Sequence, residues 1–476
     1  MKRPSLFPVP ATAASPTHPD RRRFLLTTSA VGMGCMLAPW ASAYRGLTDP
    51  MGVPLSNASL NASNATINTL RALLISSLAK TSPLIGGYLV SLGNLFVPMA
   101  GEDPEALWQR YTDEKISETV TNLVKADLAG ISDVARLYRD AVRDGNPDTI
   151  KTQSIAARTV FAQRMPQFQL TGHEGSLLHY FAMAATLELA LLRDMALTGK
   201  QIGLSDADVE SVKDDLTARI SRYERYVDEI VPKVVDNARR DNPYSNTPYG
   251  RNQPLSAIHE ALYALTPSVI DVRATWNAFD ARKFPNGSRI RLERELLSPV
   301  VGWWHPDTSP PKARPDWSTP KSDVRSIEFW IAKPYNAEYM SGFKVNHSDG
   351  SSVMTGQASG RKLELDLNQR YVTSIAAFST AAIGGMTFLT QPDKEISTLG
   401  PPKDKVARTL YAHAPRGHRL SSLRSIGTAK DHAVGGVSGF VAGFQLIDKD
   451  ADAMARGIIQ QLPPDLPHQV ARWLAT

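Results

Sequence analysis

The segment Leu177-Leu-His-Tyr-Phe-Ala-Met-Ala-Ala-Thr-Leu-Glu-Leu-Ala-Leu-Leu-Arg-Asp-Met-Ala-Leu197 is apolar almost all round. It holds no proline, no internal glycine and few β-branched residues, so a helix is its one strong reading. Between Gly175 and Gly199 that helix runs roughly 24 residues, about 36 Å, against a bilayer hydrocarbon core of about 30 Å. It also carries His179, Glu188, Arg193 and Asp194, more ionisable groups than an ordinary membrane anchor tolerates. A helix without a polar face must be enclosed by others. The chain therefore builds either a bundle around this helix or a segment that passes from a soluble core into a membrane.

Neighbouring sequence supplies the enclosing helices. From about Ile67 to Asp280 the apolar spacing is helical. Ile67–Lys80 and Leu84–Val97 read as short helices separated by Ser82-Pro83. Asp103-Pro104 starts a long amphipathic helix over Glu105–Arg143, stopped at Asp144-Gly-Asn-Pro147. Asp148–Met165 forms another, ended by Pro166, and the opening segment occupies Gly172–Gly199. Ser205-Asp-Ala-Asp208 caps the next, which reaches about Arg240, and Leu255–Asp280 is the last. The expectation is a seven-helix bundle with a central buried helix.

After Phe284-Pro285 the character changes, with proline, glycine, serine and Trp303-Trp304 rising. Short alternating segments then recur: Ser326–Ile331, Ser341–Val345, Lys362–Leu367, Val372–Ile375, Met386–Leu389 and Phe440–Leu446. Clusters of Gly, Asn, Asp and Ser punctuate them, which is the pattern of an all-β domain. The chain thus divides into an export signal (1–43), a polar flexible leader (44–66), a helical domain (67–283), a connector (284–320), an all-β domain (321–448) and a tail (449–476). The tail carries a short helical pattern around Val470-Ala-Arg-Trp-Leu474.

The formal charge of +6 is concentrated at the start, where five basic residues face the single Asp20 within residues 1–43. The rest is nearly balanced, which gives no footing for a nucleic-acid partner. Asp20-Arg-Arg-Arg-Phe-Leu-Leu26 opens an apolar stretch that ends at Ala41-Ser-Ala43. A basic region, an apolar core and a small-residue cleavage site make an export signal. Its Arg-Arg-x-Phe-Leu order resembles a twin-arginine signal, with an ordinary secretory signal as the alternative. Cleavage after Ala43 removes the single cysteine, Cys35, so the fold rests on its core without disulfides.

Several blocks, in order, carry a family resemblance. Lys115–Val142, Phe161-Ala-Gln-Arg-Met-Pro166 with Leu177–Asp194, and Ser268-Val-Ile-Asp271 with Ala278–Pro285 and Leu292-Glu-Arg-Glu-Leu-Leu-Ser-Pro299 resemble the N-terminal pore-forming domain of the bacterial crystal delta-endotoxins. The β region resembles jacalin-type β-prism lectins through Leu363–Ile375 and the glycine-rich stretch from Gly435 to Phe444. The second domain of the crystal toxins is itself a β-prism, so both resemblances imply one architecture. That family's third domain, a β-sandwich, finds no counterpart among the residues after Ile447.

The resemblance implies a secreted toxin that binds a glycoprotein or glycan receptor on a target cell. It implies a hairpin, here 148–200, that inserts into the target-cell membrane and assembles as a homo-oligomeric pore. On the central helix His179, Thr186, Arg193 and Lys200 recur every seven residues, which drifts only about 20° per step. They form one polar line on an apolar rod. Lys151, Ser154 and Arg158 form a second line on the preceding helix. Two readings of these lines stand open: they face water in a pore, or they bond to neighbouring helices in a closed bundle. The relatives more often place acidic groups on the fourth helix, so the basic residues here imply weak or anion-leaning selectivity. Receptor contact falls on Tyr335 and Tyr339 and on Gly435, Gly436 and Ser438, although the lectin motif's Asp is missing.

The competing functional class is a secreted lectin-like adhesion or defence protein whose helices are a rigid scaffold. No H-E-x-x-H pair, phosphate loop or G-x-S-x-G elbow is present. His413 and His418, five apart, are a weak metal signal. The expectation is a non-enzyme without metal or cofactor.

Overall fold

A computed structural model describes residues 57–97, 108, 118–246, 251–302, 318–333, 338–368, 370–379, 383–391, 396–399, 408–415, 417–428, 437–447 and 468–475. The export signal, the Asp103-Pro104 helix start and Trp303-Trp304 lie outside the described residues.

The helical region contains α1 (Asn57–Leu78), α2 (Gly87–Gly93), α3 (Glu118–Asp144), α4 (Pro147–Arg164), α5 (Glu174–Thr198), α6 (Asp206–Asp241) and α7 (Gln253–Leu265). Local chemistry sets the boundaries. Asn146 caps α4 by accepting from the Asp148 and Thr149 amides, with Pro147 at the first helical position. Met165-Pro166 then turns the chain into a 3-10 segment over Met165–Gln169. Ser205 and Asp208 close a reciprocal capping box at the start of α6.

Two expectations need correction here. The leader is not separate up to residue 66, because α1 begins at Asn57. The final helix is not continuous from Leu255 to Asp280: α7 passes through a π-helical turn at Thr266–Ile270 into α8 (Asp271–Thr275) and a 3-10 turn at Trp276–Phe279. Pro267 lies in that turn and offers no amide to an α-helical ladder. Eight α-helices thus precede the first strand among the described residues. As expected, α5 is the centre, with its residues from Leu177 to Ala196 all buried. It packs against α6, α2, α4 and the segment that follows α7.

Twelve strands follow: β1 (Leu296–Leu297), β2 (Val301–Gly302), β3 (Val324–Ala332), β4 (Tyr339–His347), β5 (Ser352–Gly356), β6 (Arg361–Asp366), β7 (Tyr371–Ser379), β8 (Ile383–Gln391), β9 (Ile396–Leu399), β10 (Arg408–His413), β11 (His418–Thr428) and β12 (Val437–Leu446). They form three four-stranded antiparallel sheets: β1-β12-β11 with β2 also on β12, β10-β7-β8-β9, and β5-β4-β3-β6. One apolar core lies between the sheets, with Phe329 and Phe343 from one, Ile375 and Phe388 from another, and Phe440 and Phe444 from the third. Strands β1, β2, β5, β9, β10 and β11 lie outside the alternating segments. β11 shows why: Ser421, Ser422 and Arg424 sit at a polar seam where they bond Glu295 of the connector. β12 is buried along its whole length, because its sheet has the β core on one face and helices on the other. At Gly302, with φ +101°, an added Cβ would come 2.4 Å from the Ser438 carbonyl, so the connector crosses β12 only as glycine.

The C-terminal residues are not a free tail. His468–Ala475 forms α9, which returns to the helical region and buries Val470 and Leu474 in its core.

Candidate functional site

The central helix presents two polar edges, and each meets neighbouring elements. On one edge the heptad line meets the segment after α7. His179 Nδ1 lies 2.7 Å from Ser268 Oγ, inside the π-helical turn. Thr186 Oγ1 accepts from Trp276 Nε1 at 2.9 Å and donates to the Ala182 carbonyl at 2.7 Å. Arg193, fully buried, donates to the carbonyls of Ala278 (3.2 Å), Phe279 (2.9 Å) and Phe284 (2.8 Å). Lys200 lies beyond the helix end, exposed, 2.5 Å from Asp206. Three of the four residues therefore dock α5 onto one neighbouring segment. In this closed structure the line faces protein.

The opposite edge holds Glu188. Its carboxylate accepts from Tyr223 of α6 and lies 3.6 Å from Arg219. Burial, and beside it the Glu188 carboxylate, raise the Tyr223 phenol well above its ordinary pKa, so it stays a donor. Asp215 extends the network: it pairs with Arg219 at 3.3 Å and with Arg158 of α4 at 3.1 Å. A chain of charged groups thus joins α4, α6 and α5. The sequence marks Glu188 as lying opposite His179 on the helix, but not its partners, because Glu188 and Tyr223 are 35 residues apart.

Helix α4 is the outer partner of the hairpin. Only Ile150, Ser154, Ala157 and Phe161 are buried along it. Its edges are fastened by Arg158 to Asp215 and by Arg164 to Asp127 of α3 at 2.7 Å. Lys151 donates to the Gly203 carbonyl at 2.7 Å, and Ser154 to Ile150 in its own helix at 2.7 Å. The two candidate polar lines are not brought into one channel: Ser154 is buried, while Lys151 and Arg158 engage the start of the α6 side.

Asp194, which the sequence marks only as an ionisable group on an apolar helix, acts as a cap. Its carboxylate accepts from the amides of Tyr88 (3.1 Å) and Leu89 (2.8 Å). Helix α2 begins after Gly86, at φ 70°, which has no side chain to cap it. Asp194 supplies the cap from another helix.

Helix α7 links this assembly to the sheets. Asn252 donates to Gly302 O (2.9 Å), His259 to Ser298 O (2.9 Å) and Tyr263 to His413 O (2.9 Å). Leu255 packs with Leu297, Ile426 and Val441. Below it, Asp271 accepts from Arg71 of α1 at 3.0 Å and from Arg294 of the connector at 2.9 and 2.6 Å. Arg294 also donates to His418 Nε2 at 2.8 Å, which makes that nitrogen the acceptor. Burial pulls the Arg71 guanidinium below its usual range while Asp271 opposes it. One continuous segment, 252–284, therefore touches the first sheet at one end and the polar line of α5 at the other.

The receptor candidates are not gathered. Tyr335, Gly435 and Gly436 lie outside the described residues. Tyr339 is half-buried at the start of β4, paired with Ala332. Ser438 is buried within β12, which removes it from any accessible loop. His413 bonds Ser374 and His418 meets Arg294, so the two histidines do not converge on a metal. No group of three metal-ligating side chains occurs among the described residues.

A bundle enclosing an apolar helix of membrane length, followed by three antiparallel sheets, sets the class. Residues 105–280, within the helical region, match the family model "delta endotoxin, N-terminal domain". Among curated relatives, the pesticidal crystal protein Cry1Id of Bacillus thuringiensis is 25% identical over 353 residues, covering 63% of this chain and 48% of that protein. Cry1Ia of B. thuringiensis subsp. kurstaki is 27% identical over 247 residues, 46% of this chain and 33% of that one. The chain thus spans half or less of the length of these relatives. Among solved structures, the insecticidal delta-endotoxin Cry8Ea1 of B. thuringiensis aligns with TM-score 0.60 at 16% identity, over 81% of this chain and 74% of that one. PirB aligns with TM-score 0.65 at 15% identity, over 81% and 95%. At such identity these structures speak for the fold alone.

Proposed function

We propose that this protein is a secreted pore-forming toxin. The β region, a jacalin-like prism of three sheets, binds a cell-surface glycoprotein or glycan. The hairpin 148–200 then enters the target membrane and protomers assemble around it. One observation carries the reading. Glu174–Ile202 is long and apolar enough to cross a membrane, yet it lies inside a bundle held by discrete polar docks. A helical hairpin satisfies its own backbone bonds and can enter lipid once its shell opens. The pesticidal relatives favour an invertebrate target, and the twin-arginine-like start favours export of a folded chain.

Dye release from vesicles or midgut membranes, before and after limited trypsin, tests the proposal. Trypsin has Arg239 and Arg240 to cut after, exposed at the end of α6 beside the exposed stretch 241–246. Release is expected after treatment. No release at any pH leaves the lectin-like scaffold as the reading. In planar bilayers the basic Lys151 and Arg158 are expected to give weak or anion-leaning selectivity, and Arg158→Glu to move the reversal potential toward cations.

A further inference from the structure

Helix α9 holds eight residues, well short of the about 12–15 that make an isolated helix even marginal in water. Its helical form therefore depends on its docking. Its seat is built. Val470, Trp473 and Leu474 fall on one face at spacings of three and four and are buried. Trp473 Nε1 donates to the Ser82 carbonyl at 2.6 Å, Gln469 Nε2 to Val142 O of α3 at 2.8 Å, and Lys80 Nζ to Leu474 O at 2.8 Å. Gly87 makes room for the indole, since a Cβ there would come 3.0 Å from the Trp473 ring.

The contact reaches further than its own footprint. The Trp473 ring meets Tyr88 of α2 edge-on at 5.3 Å between centroids. The Tyr88 ring carries the Arg193 guanidinium of α5 at 4.8 Å. The Tyr88 amide is also one of the two donors that bind Asp194 of α5. Tyr88 is therefore clamped between the C-terminal helix and the charged end of the central helix. From the chain's end to the membrane-length segment there is one intervening residue.

We propose that α9 is a clasp that keeps α5 in the bundle through Tyr88, and that its release precedes withdrawal of the hairpin. The proposal rests on the pore-forming reading of that hairpin. With α9 seated, α2 cannot move away from Arg193 and Asp194, and α5 cannot leave without stripping both groups of their partners. With α9 released, Tyr88 loses the indole that backs it, and the α2 cap becomes free to open.

The test uses the full chain, Trp473→Ala, the conservative Trp473→Phe, and Lys80→Met as a milder loosening should the first fail to fold. Two readouts are taken: hydrogen exchange of the Tyr88 and Leu89 amides, and dye leakage from phosphatidylcholine vesicles. Trp473→Ala is expected to speed exchange at both amides, leave the amides of β7 and β8 unchanged, and accelerate leakage roughly tenfold, the equivalent of about 1.4 kcal/mol of barrier. Trp473→Phe is expected to stay near the parent and Lys80→Met to fall between. Unchanged exchange at Tyr88 and Leu89 in the folded variants overturns the clasp. So does faster exchange with unchanged leakage from a leaking parent. If no form leaks, the pore reading of the hairpin fails, and exchange alone decides whether α9 holds α2.

Discussion

The two halves of the molecule are built on opposite terms. The helical core encloses Arg71, Glu188, Arg193, Asp194 and Asp271, each at most 2% exposed. The three sheets enclose Phe329, Phe343, Phe388, Phe440 and Phe444 instead, and Arg419, paired with Asp323, sits on the strand that also forms the polar seam to the connector. Desolvating a charge costs several kcal/mol and is offset only while its partner stays in place. Each of these five residues has a partner on a different element. Displacing one helix therefore leaves several charges uncompensated at once, and the bundle holds until it gives way as a unit. In the sheets such pairs are confined, among the described residues, to the seam with the connector, and the core loses stability in proportion to the packing removed.

Arg193→Ala should break this comparison most severely. Three carbonyls, two of them buried, lose their donor, and a loss of about 4 kcal/mol is expected in denaturant unfolding of the helical region, with the sheets still folded. Phe388→Ala is the counterpart in the sheets. A cavity cost of about 3 kcal/mol is expected, with no change in any leakage the protein shows. A leakage change as large as that of Arg193→Ala would end the division between the halves.

The third prediction sets pH against the β region. Burial lowers His413 from the usual value near 6.5 to about 4. The unfolded chain takes up this proton below about pH 6.5, while the folded chain resists until about pH 4. Stability from this group is thus complete above pH 6.5 and drains as pH falls toward 4, by on the order of 2–3 kcal/mol. His413→Gln should flatten that acid slope, read as thermal midpoint against pH. A slope unchanged in the variant would place the acid lability elsewhere.

The smallest effect is expected at the Glu188 network. Tyr223→Phe removes one donor and leaves Arg219, so about 1–2 kcal/mol should be lost. A double-mutant cycle with Glu188→Gln should show the two to be coupled. Additivity would mean that the two groups do not act together in the bundle.

Periodicity made much of this legible. The all-round apolar character of 177–197 placed α5 at the centre, and the seven-residue spacing found the line of His179, Thr186 and Arg193. What it faces was not legible, because Ser268, Trp276 and Phe284 come from a segment 89 to 91 residues away in sequence. The break in the last helix was hidden for a local reason: the apolar spacing continues through Thr266-Pro267 while the hydrogen-bond pattern does not. In the sheets, β3, β4 and β7 alternate and were found. β11 was not, because its outward side meets protein rather than water. Ser438 was misplaced by the same effect, since a glycine-rich stretch resembles a loop until a second layer covers it.

Helix α2 has one more consequence, for the order of assembly. It spans seven residues, begins after a capless glycine, and borrows its cap from Asp194, about 105 residues downstream. Until α5 is in place its first amides have no acceptor, and so short a helix cannot nucleate alone. α2 should therefore be among the last parts of the bundle to form. Conservative substitutions within it are expected to leave the folding rate unchanged and to speed unfolding, with φ-values near zero.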